Sequence, residues 1–483
     1  MKTMKNFNKR KWLLIAGLLL GLIRPGRAQS NAFVKVSAEN PRYLELSDGK
    51  AYIPVGINIC WPRFVSSEDS VIMKMEHYLT KLGENGGNFT RVWLSAPMFE
   101  VEHKKAGEYD EVIARRIDKI LEIAGKYNIK VKFCLENFRD LTNRPAMFAG
   151  SVPFDKPIYY TGNGGPLSTM DEYFTSQKGK DLFLKRVDFF AKRYKDHPGV
   201  FGWELWNEIN AVKVSDRKII LDWTKAMLPE LKKRFPNHLA MQSLGSFDTE
   251  QAKGLYHDYS VIPDNEIAQV HRYLDQGGGL PVTRGAMDIL AHDAVSTLRG
   301  FGEQKPVILS EVGAVEPHHA GPSLLYPKDT EGMMLHDYLF AAFFAGAAGP
   351  GQSWHWDYYI DKHDLWYHLA RFNKAIEGID PRKEAFEPFE VRHDELTIYG
   401  LKGKKHVLVW CRDKANTWQS ELNEGLKPQT IKGKSFKLPF EVKVKNASVY
   451  NPWEDTGQTI NIKNNQVNLP EFKRSGVIKL TVK

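Results

Sequence analysis

Three cysteines, Cys60, Cys134 and Cys411, are all that 483 residues contain. An odd number at wide spacing excludes a disulfide framework. None of the three stands at metal-ligand spacing from a histidine. Cys60 and Cys134 lie in strand-like runs and read as buried thiols, with one disulfide between them left open. A concentrated basic patch is also missing: the formal charge of +9 is spread along the chain. A nucleic-acid partner needs such a patch, so none is expected. The chain has no internal repeat and no low-complexity tract. Its apolar run near the start, Trp12 to Ile23, is too short for a comfortable membrane span. Preceded by Lys2, Lys5, Lys9, Arg10 and Lys11, that run reads as the core of a secretory signal peptide over residues 1–28. Gly26-Arg27-Ala28 places small residues where a signal peptidase reads, with cleavage before Gln29. No cysteine lies near that point, which argues against a lipoprotein. The mature chain is therefore expected to be periplasmic or secreted, with no membrane attachment after cleavage.

What is present in quantity is the short apolar run that ends in an acid. Phe201-Gly202-Trp203-Glu204-Leu205-Trp206-Asn207-Glu208, opened by His197-Pro198-Gly199, suits a parallel strand buried on both faces. Strand alternation would set Glu204, Trp206 and Glu208 on one face, and Leu205 and Asn207 on the other. Lys305 to Gly313 repeats the pattern and carries Glu311 at its end. A carboxylate at the carboxyl end of a barrel strand stands where such barrels place their chemistry.

Taken in order, the chain alternates strand and helix eight times. A hairpin over Phe33–Pro54 turns at Ser47-Asp48-Gly49-Lys50 and is expected across the bottom of a barrel. Strands are predicted over 55–60, 88–94, 129–135, 201–208, 239–243, 266–273, 306–310 and 351–356. Helices are predicted over 66–82 (capped by Ser67 or Asp69), 111–127, 181–194, 215–235, 286–298, 332–348 and 365–376. The connection from Glu136 to Tyr173, rich in Pro, Gly and aromatics, should lie over the strand ends and serve function. Beyond Pro381, short alternating runs such as 396–399, 406–410, 440–444 and 477–480 read as an antiparallel β-sandwich. The expected fold is thus an α/β (β/α)8 barrel over 29–382 with a C-terminal antiparallel β-sandwich over 383–483. Apolar content of 42% is enough for a sizeable core.

Trp-Asn-Glu after one strand and Ser-Glu-Val-Gly after another, about a hundred residues on, resemble the clan A glycoside hydrolases, most closely family 5, the cellulase and mannanase family. The resemblance covers roughly residues 40 to 380. It implies that Glu208 is the acid/base and Glu311 the nucleophile of a retaining reaction. It implies also that Asn207 bonds the sugar 2-hydroxyl, that Arg91 in Thr-Arg-Val-Trp sits beneath the nucleophile, and that Tyr273 touches it while His271 lines the adjacent subsite. Trp354 and Trp356 end the eighth strand, where the family carries a platform for the sugar ring, and Trp354 is preferred. Where many relatives have a histidine after the third strand, this chain has Glu136-Asn137, so that subsite stays open.

Other residues read more blandly. Glu204 should pair with Arg91 in the barrel core. Asn58 and Trp61 suit sugar contact or packing equally. His318-His319 read as loop residues contacting substrate or solvent, and no metal and no organic cofactor are expected. Trp410, Trp418 and Trp453 would be the sugar contacts if the sandwich bound carbohydrate; packing against the barrel is preferred.

A carboxyl pair suffices for the chemistry: one group protonates the leaving oxygen and the other attacks the sugar. The acid needs a raised pKa and the nucleophile a lowered one. The expected protein is a monomeric, exported glycosidase cleaving β-linked oligo- or polysaccharides. The long third connection and the Trp-rich eighth strand look more like the mannanase side. A β-glucanase, or a chain-end β-galactosidase or β-mannosidase, stays open, as does a carbohydrate-binding protein on an inactivated barrel.

Overall fold

The hairpin forms as its turn chemistry requires. In the computed structural model, which describes residues 31–63, 65, 67–143 and 156–483, β1 (Val34–Val36), β2 (Leu44–Leu46) and β3 (Ala51–Tyr52) pair in antiparallel fashion. Gly49 turns the chain at φ 86°, a left-handed angle that side chains disfavour. Val34, Leu44 and Tyr52 pack on Phe89, Phe201, Leu239, Ile267 and Ile308. Those residues stand at or near the amino ends of the parallel strands, so the hairpin covers that end of the sheet. The signal peptide expected over residues 1–28 lies outside the described residues, as does part of the long third connection.

β4 (Gly56–Asn58), β5 (Phe89–Trp93), β6 (Lys130–Glu136), β7 (Val200–Trp206) and β8 (Leu239–Met241) form one parallel sheet in chain order. β9 (Ala268–Leu274) and β10 (Val307–Ala314) form a parallel pair. Every residue of β5, β6, β7, β9 and β10 is buried, the signature of parallel strands covered on both faces. Glu266 N donates to Ala240 O at 3.1 Å, linking the two sets.

The eighth strand expected over Gly351–Trp356 is not continuous. Its segment still bonds both neighbours: Gln352 N to Leu309 O at 2.9 Å, Trp354 N to Val312 O at 3.0 Å, and Asn58 N to Ser353 O at 2.9 Å. Gly349-Pro350-Gly351 interrupts the ladder on one side, since proline offers no amide hydrogen. A wide helical turn over Trp356–Asp361 interrupts it on the other.

The helices are α1 (Glu68–Glu84), α2 (Glu111–Lys126), α3 (Met170–Thr175), α4 (Gln177–Tyr194), α5 (Arg217–Arg234), α6 (Glu250–Ser260), α7 (Met287–Arg299), α8 (Met333–Phe344), α9 (Tyr367–Ala375) and α10 (Pro381–Glu384). Ser67 is the cap of α1: its hydroxyl accepts from Ser70 N at 3.2 Å while Ser70 Oγ accepts from Ser67 N at 3.0 Å. α3, α6 and α10 were not expected. Gly254 inside α6 weakens its helical signal, and α3 sits among loop-forming residues with Thr169 as its cap. Among the described residues no helix is long and apolar enough to cross a membrane.

The last part is antiparallel. Its strands are β11 (Glu387–Glu390), β12 (Leu396–Lys402), β13 (His406–Asp413), β14 (Thr430–Ile431), β15 (Ser435–Lys437), β16 (Val444–Asn451), β17 (Thr456–Thr459), β18 (Gln466–Asn468), β19 (Phe472–Lys473) and β20 (Ser475–Val482). Six of them form one sheet in the order β11-β12-β13-β20-β16-β17, and two small pairs accompany it. The strand expected over Phe440–Val444 begins only at Val444, after Pro439. Alternation divides this sheet between two cores. Val407, Val409 and Cys411 join a core of its own, while Leu408 and Trp410 join the main core with α8.

The junction is also polar. Arg412 pairs with Asp337 of α8 at 2.6 Å, and His336 Nε2 lies 2.7 Å from Ser475 Oγ. Trp410 is fully buried, Trp418 Nε1 donates to Gly285 O at 2.8 Å, and Trp453 packs on His336 with ring centroids 4.5 Å apart. All three tryptophans considered for sugar binding are therefore spent at the junction. The three cysteines are buried and free, so no Cys60–Cys134 disulfide forms.

Candidate active site

The site grows from a layer of charge beneath the strand ends. Arg91 on β5 is fully buried; its Nη2 donates to Glu204 Oε1 at 2.5 Å and to Asn207 Oδ1 at 2.8 Å, and its Nη1 to Glu311 Oε1. Lys132 Nζ lies 3.1 Å from Glu204 Oε2. Burial would raise the Glu204 pKa, but the Arg91 and Lys132 charges outweigh it and bring it down to about 2. Glu204 is thus a structural counter-ion, as its pairing with Arg91 led us to expect.

On this layer stand the two strand-end acids. Tyr273 OH donates to Glu311 Oε2 at 2.6 Å. His271 Nδ1 lies 2.9 Å from Glu208 Oε1 and 3.4 Å from Glu311 Oε2. One imidazole therefore spans both carboxylates. Burial pushes the Tyr273 hydroxyl well above its usual range, with the Glu311 charge adding to the shift.

Glu208 departs from strand alternation. β7 ends at Trp206, and Glu208 takes φ 53° and ψ 54°, a left-handed conformation. Trp206, expected beside Glu204, instead packs on Phe138 and Phe174, while Asn207 turns to Arg91. The alternation is thus already broken between Glu204 and Trp206, ahead of the left-handed Glu208, which a period-2 reading does not reveal. The charge pattern also differs from expectation. Burial would raise the Glu208 pKa, but the His271 hydrogen bond and the charges of His271 and Arg139 bring it down to about 2. The expected acid thus stands in surroundings that favour its carboxylate form.

A cavity of about 450 Å³ opens above the pair, lined by Glu208, Glu311, Asn207, Tyr273, Trp354 and Trp61 among others. Trp354 is half-buried in its wall. Trp356 is fully buried behind it, its ring edge-on to Trp61 with centroids 5.2 Å apart, so its faces are covered by protein. Asn58 is spent on the backbone, donating to Ser310 O and Ser353 O at 3.0 Å. Glu136 lies in a buried cluster, 3.0 Å from Arg186.

The paired histidines behave differently from one another. His318 and His319 both take left-handed φ, 62° and 58°. His319 lines the cavity, and its Nδ1 lies 2.9 Å from Asp275 Oδ2. Glu208, His271 and Glu311, and separately Asp248, Asp275 and His319, bring possible metal-ligating atoms within 4.8 Å of one another. In the first cluster those atoms are already paired among themselves, and in the second Asp275 is bonded to His319 and to two backbone amides.

Sequence reading missed Arg139, Ser243 and Lys132. Arg139 reaches the Glu208 carboxylate at 3.2 Å from the loop after β6. Ser243 Oγ accepts from Glu208 N at 3.1 Å. Basic and hydroxyl residues within or just beyond the buried strands were the available signal.

Two curated proteins give a measure of likeness. Mannan endo-1,4-beta-mannosidase 7 of Arabidopsis thaliana is 26% identical over 294 residues, 55% of this chain and 65% of its own length. Mannan endo-1,4-beta-mannosidase F of Aspergillus clavatus is 24% identical over 309 residues, 58% of this chain and 65% of its own. The chain thus spans just under two thirds of each. Among solved structures, a glycoside hydrolase family 5 protein from Bacteroides vulgatus superposes with a TM-score of 0.55 at 13% identity, covering 94% of both chains. The endo-beta-1,4-mannanase from Thermotoga petrophila gives 0.51 at 15% identity, over 88% of this chain and 92% of its own. These likenesses bear on the fold. The model of Cellulase (glycosyl hydrolase family 5) matches residues 54–339, more than half of the 483, and on that match the chain belongs to glycosyl hydrolase family 5.

Proposed function

We propose that this chain is an exported, retaining glycoside hydrolase acting on β-linked mannan-type glycans. The reading places a (β/α)8 barrel over residues 29–382 and a β-sandwich over 383–483. The observation that carries it is the spacing of the acids: ligand atoms of Glu208, His271 and Glu311 all lie within 4.8 Å of one another. Inverting enzymes separate their carboxyls by about 6.5–9.5 Å to admit water, whereas retaining ones hold them at about 5–5.5 Å. One oxygen of Glu208 and one of Glu311 within 4.8 Å of each other leave little room for a water between the acids, which supports direct attack by one of the pair.

Glu311 is the nucleophile of this reading. Arg91 and Tyr273 hold its two oxygens toward the cavity, and attack on the anomeric carbon forms a glycosyl-enzyme bond as the bond to the leaving oxygen breaks. Glu208 gives that oxygen its proton. The His271 ring nitrogen stands 2.9 Å from Glu208 Oε1, beside the carboxyl that delivers this proton. In the second half Glu208 takes a proton from water, which displaces Glu311 from the sugar. Asn207 addresses the sugar beside the nucleophile and Trp354 stacks on its ring. The mannan preference rests on the names of the relatives, and export on the pattern of residues 1–28.

The test is hydrolysis of mannan, glucan, galactan, xylan and aryl β-glycosides beside Glu311→Gln, with the first product followed by NMR for its anomeric form. Retained β-configuration on mannan, absent in the variant, is expected. Inverted product, or equal activity in the variant, would overturn the mechanism.

A further inference from the structure

The loop after β6 carries a guanidinium that grips Asn207 and Glu208 in three places, two of them on Glu208. Arg139 Nη1 donates to the carbonyl oxygen of Asn207 and, at 3.1 Å, to that of Glu208, while Nη2 donates to Glu208 Oε2 at 3.2 Å. Its side chain is 9% exposed and lines the cavity. Glu208 itself stands at φ 53°, a region sparsely populated by residues with a side chain, which persists only where its surroundings over-determine it. Two of those surroundings are Ser243 Oγ, which accepts its amide hydrogen, and Arg139, which takes both carbonyls flanking the reversal.

We propose that Arg139 is a positioning residue for the acid/base, fixing both the reversed backbone of Glu208 and which of its oxygens carries the proton. The inference rests on the reading of Glu208 as acid/base. Guanidinium has only donors, so the oxygen facing it must accept. With His271 neutral and its Nδ1 accepting, the proton of the acid form sits on Oε1 and departs from there: the Oε1–H bond breaks as the proton forms a bond to the leaving oxygen. A planar fork suits the task, because it spans backbone and carboxylate together, which a lysine point charge cannot. The lowered Glu208 pKa agrees with this contact, since Arg139 adds to the effect of His271.

The variants are Arg139→Gln and Arg139→Lys, assayed on aryl β-glycosides of graded leaving-group acidity across pH. General-acid assistance matters most for poor leaving groups. Arg139→Gln should lose kcat/KM on the order of 10- to 100-fold on those and far less on dinitrophenyl substrates. Its alkaline limb should move to higher pH, because the acid form is no longer opposed by the guanidinium. Arg139→Lys should bring the limb back toward the wild-type position without restoring the rate. An equal loss on all substrates with an unmoved limb would make Arg139 merely structural and overturn the proposal. If the wild type cleaves none of the substrates, the glycosidase reading fails instead. Carbon-13 NMR titration of Glu208 still decides Arg139 in that case: a pKa that rises in the variant supports the contact, and one that stays put overturns it. Thermal melting checks folding, and Arg139→Lys carries the test if Arg139→Gln does not fold.

Discussion

Arg91 holds Glu204 at 2.5 Å with both side chains removed from solvent. The same guanidinium donates to Glu311, so one cation balances two carboxylates, with Lys132 assisting on the Glu204 side. Removing it leaves buried acids uncompensated, which costs about 3–5 kcal/mol. Arg91→Met should lower stability by that amount and abolish glycosidase activity together. Urea unfolding beside the activity assay checks both.

Trp354 and Trp356 should separate cleanly. Trp354→Ala, on the cavity wall, should raise KM with little loss of stability. Trp356→Ala, fully buried, should cost about 3–5 kcal/mol through the cavity it leaves. Kinetics and melting curves on the two variants test the division, and a KM effect larger at Trp356 would count against it.

Gly56 tests the sheet. A Cβ there would sit 1.8 Å from Phe89 O on the neighbouring strand, and a backbone atom cannot step aside. Gly56→Ala should destabilise by about 1–3 kcal/mol or more, measured as a shift in the denaturation midpoint. A neutral result would mean that β4 and β5 do not approach as described.

The junction predicts a pH effect. Burial pushes the Asp337 pKa from 3.8 to about 7, with Arg412 opposing it. The folded state holds this proton more tightly than the unfolded chain. Its contribution to stability is therefore complete below the unfolded value and is lost as pH rises through about 7. Melting temperature should fall across that window in the wild type and less in Asp337→Asn. Parallel curves for the two proteins would remove Asp337 as the cause.

Much of the parallel architecture was legible because apolar runs ending in acids announce buried strands. The expected strand positions lie close to β4 through β10. What escaped was local. Trp206 and Asn207 stand on the faces opposite those expected and Glu208 reverses its backbone beyond them, and nothing in a period-2 pattern marks either departure. The eighth strand is broken by Pro350, whose missing donor is visible in sequence but whose effect depends on which neighbour needed it. α6 was hidden by Gly254, and α3 by the loop-forming residues around it. Arg139 was marked only by its charge after the third strand; which carbonyl and carboxylate oxygens it meets depends on the fold.

The division of β13 between two cores has a mechanical consequence. Leu408 and Trp410 face α8 while Val407 and Val409 face away, so the sheet is clamped along its length rather than hung from a tether. It cannot search for a polymer on behalf of the cavity, as a module on a flexible linker does through effective concentration. Any chain lying on its outer face would arrive at the cavity at one distance and in one direction. In this molecule the last hundred residues are held to the main core through one face of β13, with the other face committed to a core of their own.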